Sequence, residues 1–127
     1  MSAHNVGIVA DALFEDLAFD DAELLYLPGG MPGAANLNQH TGLSGLIMQH
    51  YAAGKPLAAI CAAPMVYGNL GLLEGLKATC YPGFEEALTG AEVTGRECLV
   101  CRRLTREFEG RTSAPHRRSK LNIIRIV

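Results

Sequence analysis

The chain has 127 residues, 49% of them hydrophobic, and a formal net charge of -2. That length provides for one buried core, and the apolar fraction excludes a wholly disordered chain. No apolar run is long enough to span a membrane, and no basic start precedes an apolar stretch of the secretory type, so the sequence predicts a cytoplasmic protein without a membrane partner.

Taken in chain order, short elements alternate. Val6–Ala10 is predicted as a strand, and Asp11–Asp21 as a loop or a single helical turn. Glu15 and Asp16 belong to that turn and read as solvated carboxylates. Leu24–Leu27 is a strand that runs into Pro28-Gly29-Gly30. Pro28 has no N–H to donate to a neighbour, and the two glycines permit positive φ and close approach of another group. Ala34–Ala53 is mostly helical, with Leu37, Leu43, Leu46, Ile47 and Tyr51 spaced along one apolar face and Gly54 as the C-terminal cap. Leu57–Ile60 reads as a buried strand, Ala62–Leu70 as a helix, Lys77–Tyr81 as a strand, Glu85–Leu88 as a short helix and Glu92–Thr94 as a further strand. Strands and helices in this order, joined by short Gly/Pro connections, predict an α/β fold with a parallel sheet between helices.

Cys61 stands at the junction of an apolar run (Pro56–Ile60) and a helix-compatible run from Ala62. A residue there sits on a sharp strand-to-helix turn that pushes its side chain clear of the sheet, as in a nucleophile elbow. It also lies at the positive end of the helix dipole. Loops at the carboxyl ends of neighbouring strands meet in one crevice. If Leu24–Leu27 and Leu57–Ile60 are neighbours, the N–H groups of Gly30 and Ala62 can flank the Cys61 sulfur as an oxyanion-hole-like pair. The plainer alternatives are a buried structural cysteine and a turn that needs two glycines only for its shape.

The segments LYLPGGMPGAANL (25–37) and AAICAAPMVYGNLGLLEGLKATCYPGFEEAL (58–88) together resemble the ThiJ/PfpI family. That family comprises the Parkinsonism-linked protein deglycases, the glyoxalase III-type enzymes and the PfpI proteases, and it is related to the class I glutamine amidotransferases. The resemblance runs from about Asn5 to about Gly95. It implies a flavodoxin-like (Rossmann-like) sheet and a cofactor-independent chemistry with no metal, in which Cys61 attacks a small reactive carbonyl or a glycated substrate. It implies Gly30 and Ala62 as the oxyanion-binding amides, with Gly29 and Tyr81 near the site, and a homodimer. Where many members carry a histidine, this chain has Tyr81, within Thr79-Cys80-Tyr81-Pro82.

Two departures shape the expectation. The family's opening strand and helix, with a glutamate that hydrogen-bonds the cysteine and serves as acid/base, have no match in this sequence, and neither Glu15 nor Asp16 takes that role. Residues 1–95 therefore read as a truncated family domain with little turnover of its own. A redox-responsive, non-catalytic stress protein or chaperone-like module, oxidised at Cys61 to a sulfinate, is the alternative. A third reading is a degenerate fragment whose sheet has an open edge, prone to dimerise or aggregate.

Residues 96–127 depart from the family pattern. Nine basic and three acidic side chains lie there, against two and ten in residues 1–95. A nucleic-acid-binding tail would suit that charge, but Phe108 is its only aromatic, which leaves little for bases to stack on. The tail is therefore read as foreign to the fold, with a strand-like apolar close at Leu121–Val127. Cys98 and Cys101 form a lone C-x-x-C, too few ligands for a structural zinc, and are read as incidental. Cys80 reads as a small strand residue, with a resolving thiol toward Cys61 as the lesser alternative. His4, His40, His50 and His116 read as terminal, surface or tail residues, and Met31, Met48 and Met65 as packing or turn residues.

Overall fold

The computed structural model of the protein describes residues 4–95, 99–101 and 121–123. Its central strand is β1 (Leu24–Leu27), paired in parallel with β2 (Leu57–Ala59) in the register Leu25 to Leu57 and Leu27 to Ala59. β1 alternates half-buried and buried side chains, whereas all three residues of β2 are buried. Burial on both faces is what a parallel strand between helices requires, and Leu-Ala-Ala supplies it without a polar group.

The predicted helix over Ala34–Ala53 is two helices, α1 (Gly33–Gln39) and α2 (Thr41–Ala52). The break falls at His40, whose ψ of 103° is extended rather than helical. His40 Nδ1 accepts the Leu43 N–H at 3.0 Å, so the imidazole caps α2 in the way an Asn or Ser does elsewhere. Because Nδ1 is an acceptor, the ring proton resides on Nε2, 3.7 Å from Glu15 Oε1. The ring also meets Phe14 edge-on, with centroids 4.8 Å apart. His40 is thus half-buried and structural rather than a surface residue, and Glu15, in a 3-10 turn at Phe14–Asp16, is its partner.

α2 ends as predicted at Gly54, whose φ is +74°. Gly54 N–H donates to Tyr51 O at 3.0 Å and Lys55 N–H to His50 O at 3.1 Å, the paired bonds of a Schellman cap. His50 is 4% exposed, not on the surface. Its Nε2 lies 3.1 Å from Pro56 O, the carbonyl that also accepts the Leu25 N–H at the start of the β1–β2 pairing. The helix end and the entry to β2 are therefore fastened to each other by one buried imidazole.

Beyond β2 come α3 (Pro64–Asn69), β3 (Lys77–Ala78), a 3-10 turn at Glu85–Ala87, and β4 (Glu92–Val93), which pairs in parallel with β3 as a separate two-stranded sheet. α3 buries Pro64 to Gly68 and leaves only Asn69 exposed, with Tyr67 fully buried and its hydroxyl donating to Ala58 O of β2 at 3.0 Å. Gly68 lies against the backbone of Ala87 so closely that a Cβ would overlap its carbonyl oxygen. Leu25, Leu27, Leu37, Leu43, Ile47, Leu57 and Leu73 complete the core between sheet and helices.

Two strands come from the basic tail. β5 (Leu99–Cys101) pairs antiparallel with β2, and β6 (Leu121–Ile123) pairs parallel with β1, giving the order β5-β2-β1-β6. The reading of the whole tail as foreign to the fold is corrected at these six residues. The predicted parallel sheet acquires one antiparallel strand. β6 also explains why Val6–Ala10 is not a strand: both edges of β1 are occupied, and Val6, Ile8 and Val9 are 56%, 40% and 94% exposed. The side of β1 away from β2 is thus paired, by Leu121–Ile123 of the same chain. Cys98, Phe108 and His116 lie outside the described residues.

Candidate active site

Ile60 extends the β1–β2 pairing by one bond, its N–H donating to Leu27 O at 3.2 Å. The chain then turns at Cys61, whose φ is +61°, one of two positive values among described non-glycine residues. The left-handed region is costly for a residue with a Cβ, by roughly 1–2 kcal/mol, and such strain collects at functional positions. Ala63 N–H closes the turn onto Ile60 O at 3.1 Å, and Pro64 starts α3, where its missing N–H is no loss. The helix begins at Pro64 rather than Ala62 because Cys61 to Ala63 are consumed in making the bend.

The diglycine turn after β1 meets this bend. A Cβ on Gly29 would overlap the Cys61 Cβ, lie 2.9 Å from Ile60 O and 3.1 Å from the Cys61 sulfur. Gly29 is therefore the residue in contact with the cysteine. Gly30, with φ +95°, has open space where a Cβ would be and makes the bend that follows, its carbonyl accepting the Ala34 N–H at 2.8 Å. Ala62 follows Cys61 and is buried. Gly29, Gly30, Cys61 and Ala62 thus gather at the carboxyl ends of the neighbouring strands β1 and β2.

Tyr81 arrives from the other side. Its N–H donates to Cys61 O at 2.8 Å, which ties the segment after β3 to the elbow, while its side chain is 59% exposed. Between them lies an open cavity of about 490 Å³, lined by Ile60 and Cys61, by Thr79–Pro82 and Glu85, and by Val93–Gly95. That volume suits a small organic ligand. Gly29, Gly30 and Ala62 are not among its walls. Lys77–Tyr81 was expected as one strand, but pairing stops at Ala78, so Thr79 and Cys80 line the cavity instead of a sheet. Burial pushes the Cys80 thiol above its ordinary range, the Glu85 charge adds to this, and a backbone hydrogen bond at Phe84 opposes it. Glu85 Oε2 accepts the Gly83 N–H at 2.7 Å, which folds the carboxylate back over the Pro82-Gly83 turn.

Glu85 has no site role in the sequence reading, and Cys80 only the lesser one of a resolving thiol. The signal that could have found them is the Pro-Gly pair at 82–83, which stops strand pairing and turns the next carboxylate back on the chain. Among the described residues, no three His, Cys, Asp or Glu side chains converge as metal ligands do, and no helix is long and apolar enough to cross a membrane.

The profile of the DJ-1/PfpI family matches residues 1–106, past Gly95 and most of the chain. The chain belongs to the DJ-1/PfpI family. Among its relatives, DJ-1 homolog B of Arabidopsis thaliana is 42% identical over 68% of this chain and 20% of its own length. DJ-1 homolog A of the same plant is 39% identical over 78% of this chain and 26% of its own length. A protein named as a deglycase in Pyrococcus abyssi is 32% identical over 71% of this chain and 54% of its own length. The chain therefore spans a fifth to a quarter of the plant relatives and about half of the archaeal one. The match agrees with the resemblance carried by the PGG, ICAAP and TCYPGFE segments, and with the flavodoxin-like α/β class of the DJ-1/PfpI fold.

Proposed function

We propose that Cys61 is a nucleophile toward reactive carbonyl compounds, in a site of deglycase or glyoxalase III type. The observation that carries this reading is the positive φ at Cys61, which holds the cysteine on a strained bend between β2 and α3, against Gly29 and in the wall of a ligand-sized cavity. A buried structural cysteine has no need of such a backbone. The deglycase names among the relatives support the substrate class.

In the proposed step the sulfur adds to the aldehyde carbon of a 2-oxoaldehyde. The carbonyl π pair moves to oxygen, which takes up a proton in place of the one lost from the thiol, and a hemithioacetal results. The Gly30 and Ala62 amides are the proposed donors to the developing oxyanion. Release as a 2-hydroxy acid adds one water overall and requires no external oxidant or reductant. It does require proton transfer at carbon.

The test is intact-mass analysis after exposure to methylglyoxal, with peptide mapping and an assay for lactate. The expected result is an adduct on Cys61 that is absent from Cys61→Ala, with any lactate formation lost in the same variant. Adducts spread over lysine and arginine but missing from Cys61 would refute the reading.

A further inference from the structure

We propose that Glu85 makes the Cys61 cavity selective by charge, admitting uncharged or cationic carbonyl compounds and disfavouring those that carry a carboxylate. The identity of the carbonyl rests on the reading of Cys61 given above; the charge selection does not.

Cys61 and Glu85 line the same cavity, contributed by the β2–α3 elbow and by the turn after β3. Glu85 is the only carboxylate among the described wall residues, and no lysine, arginine or histidine stands beside it there. Its position is set: the Gly83 N–H holds Oε2 at 2.7 Å, so the charge faces back over the turn instead of sweeping freely through solvent. Its field reaches another wall residue, since it contributes to the upward displacement of the Cys80 thiol.

Chemistry follows from that arrangement. An anion approaching Cys61 meets a fixed negative charge with no described counter-ion in the wall. A 2-oxoaldehyde such as methylglyoxal is uncharged and meets no such barrier. A carbonyl adduct on a protein lysine or arginine brings or neighbours positive charge and is drawn in. Because Glu85 is exposed and the cavity open, solvent weakens the field and the discrimination is a few-fold.

Alkylation of Cys61 by iodoacetamide and by iodoacetate tests this directly, because the two reagents differ chiefly in charge. In each case the sulfur displaces iodide, and peptide mapping separates Cys61 from Cys80. At low salt, Glu85→Gln is expected to raise the iodoacetate rate relative to iodoacetamide by roughly threefold, and Glu85→Lys by more, with the differences shrinking at high salt. A relative rate unchanged in both variants, each confirmed folded by circular dichroism, overturns the proposal. Methylglyoxal and glyoxylate, applied to the same proteins, separate the two readings. No adduct at Cys61 from either removes the carbonyl chemistry but not the filter. Equal rates from both, insensitive to Glu85→Gln, remove the filter but not the chemistry.

Discussion

Gly29 and Cys61 occupy one another's space so fully that a single methyl on the glycine would overlap the cysteine Cβ and stand 3.1 Å from its sulfur. The two residues lie on different loops, and their contact packs the loop after β1 against the loop after β2. Gly29→Ala is therefore expected to push the elbow away from the diglycine turn. Overpacking of this kind costs roughly 1–3 kcal/mol. Urea unfolding should register that loss, and Cys61 should alkylate at an altered rate. Gly30→Ala meets no neighbouring atom and carries only the strain of its positive φ, so it should leave the Cys61 alkylation rate closer to the parent.

The backbone at Cys61 makes a second prediction. Cys61→Ala and Cys61→Gly both remove the sulfur, but only glycine is at ease at φ +61°. The glycine variant should be the more stable of the two, by about 1 kcal/mol. Parallel urea titrations decide it. Equal midpoints would mean that the bend is unstrained and that its link to chemistry is lost.

His50 confers a pH dependence. Burial holds its imidazole below the ordinary value of 6.5, the hydrogen bond with Pro56 opposes this, and the Lys55 charge reinforces it. The folded state thus favours neutral His50 more than the unfolded state does. Above the unfolded value the neutral form is common to both states, and its contribution to stability is fully present. As the pH drops below 6.5, the unfolded chain takes up the proton first and stability falls until the folded value is passed. His50→Gln, which retains a donor for Pro56 O, should flatten that part of the profile. Melting temperatures between pH 7.5 and 5 are the measurement, and identical slopes would refute the assignment.

β6 gives a fourth prediction. It covers the edge of β1 by pairing Leu24 with Leu121 and Tyr26 with Ile123. Deleting residues 118–127 should uncover a row of unpaired backbone groups and raise aggregation on size-exclusion chromatography. A monodisperse product that melts like the parent would show that the edge needs no cover.

Much of the site could be read from residue type because it depends on local punctuation. Pro28-Gly29-Gly30 ends one strand, and the apolar run into Cys61 defines another, so the approach of the two loops followed from the parallel order. Which glycine touches the cysteine was not legible, since it depends on a displacement smaller than one residue. His50 reads as a surface residue because its spacing shows neither its burial nor its partner Pro56 O, which is reached across a turn. His40 was misread for a similar reason: helix propensity is continuous through 34–53, and only the imidazole bonding of Leu43 N–H marks the break. Val6–Ala10 has the composition of a strand, yet β6 takes the place beside β1. Local composition cannot register a competitor from the far end of the chain.

The β1–β6 pairing has a bearing on synthesis. During translation β1 leaves the ribosome long before Leu121 has been made, so one side of that strand stays bare until β6 follows it. A nascent chain stalled anywhere in between would offer that side to any passing extended segment, and a chaperone bound there would have to yield once Leu121–Ile123 is made.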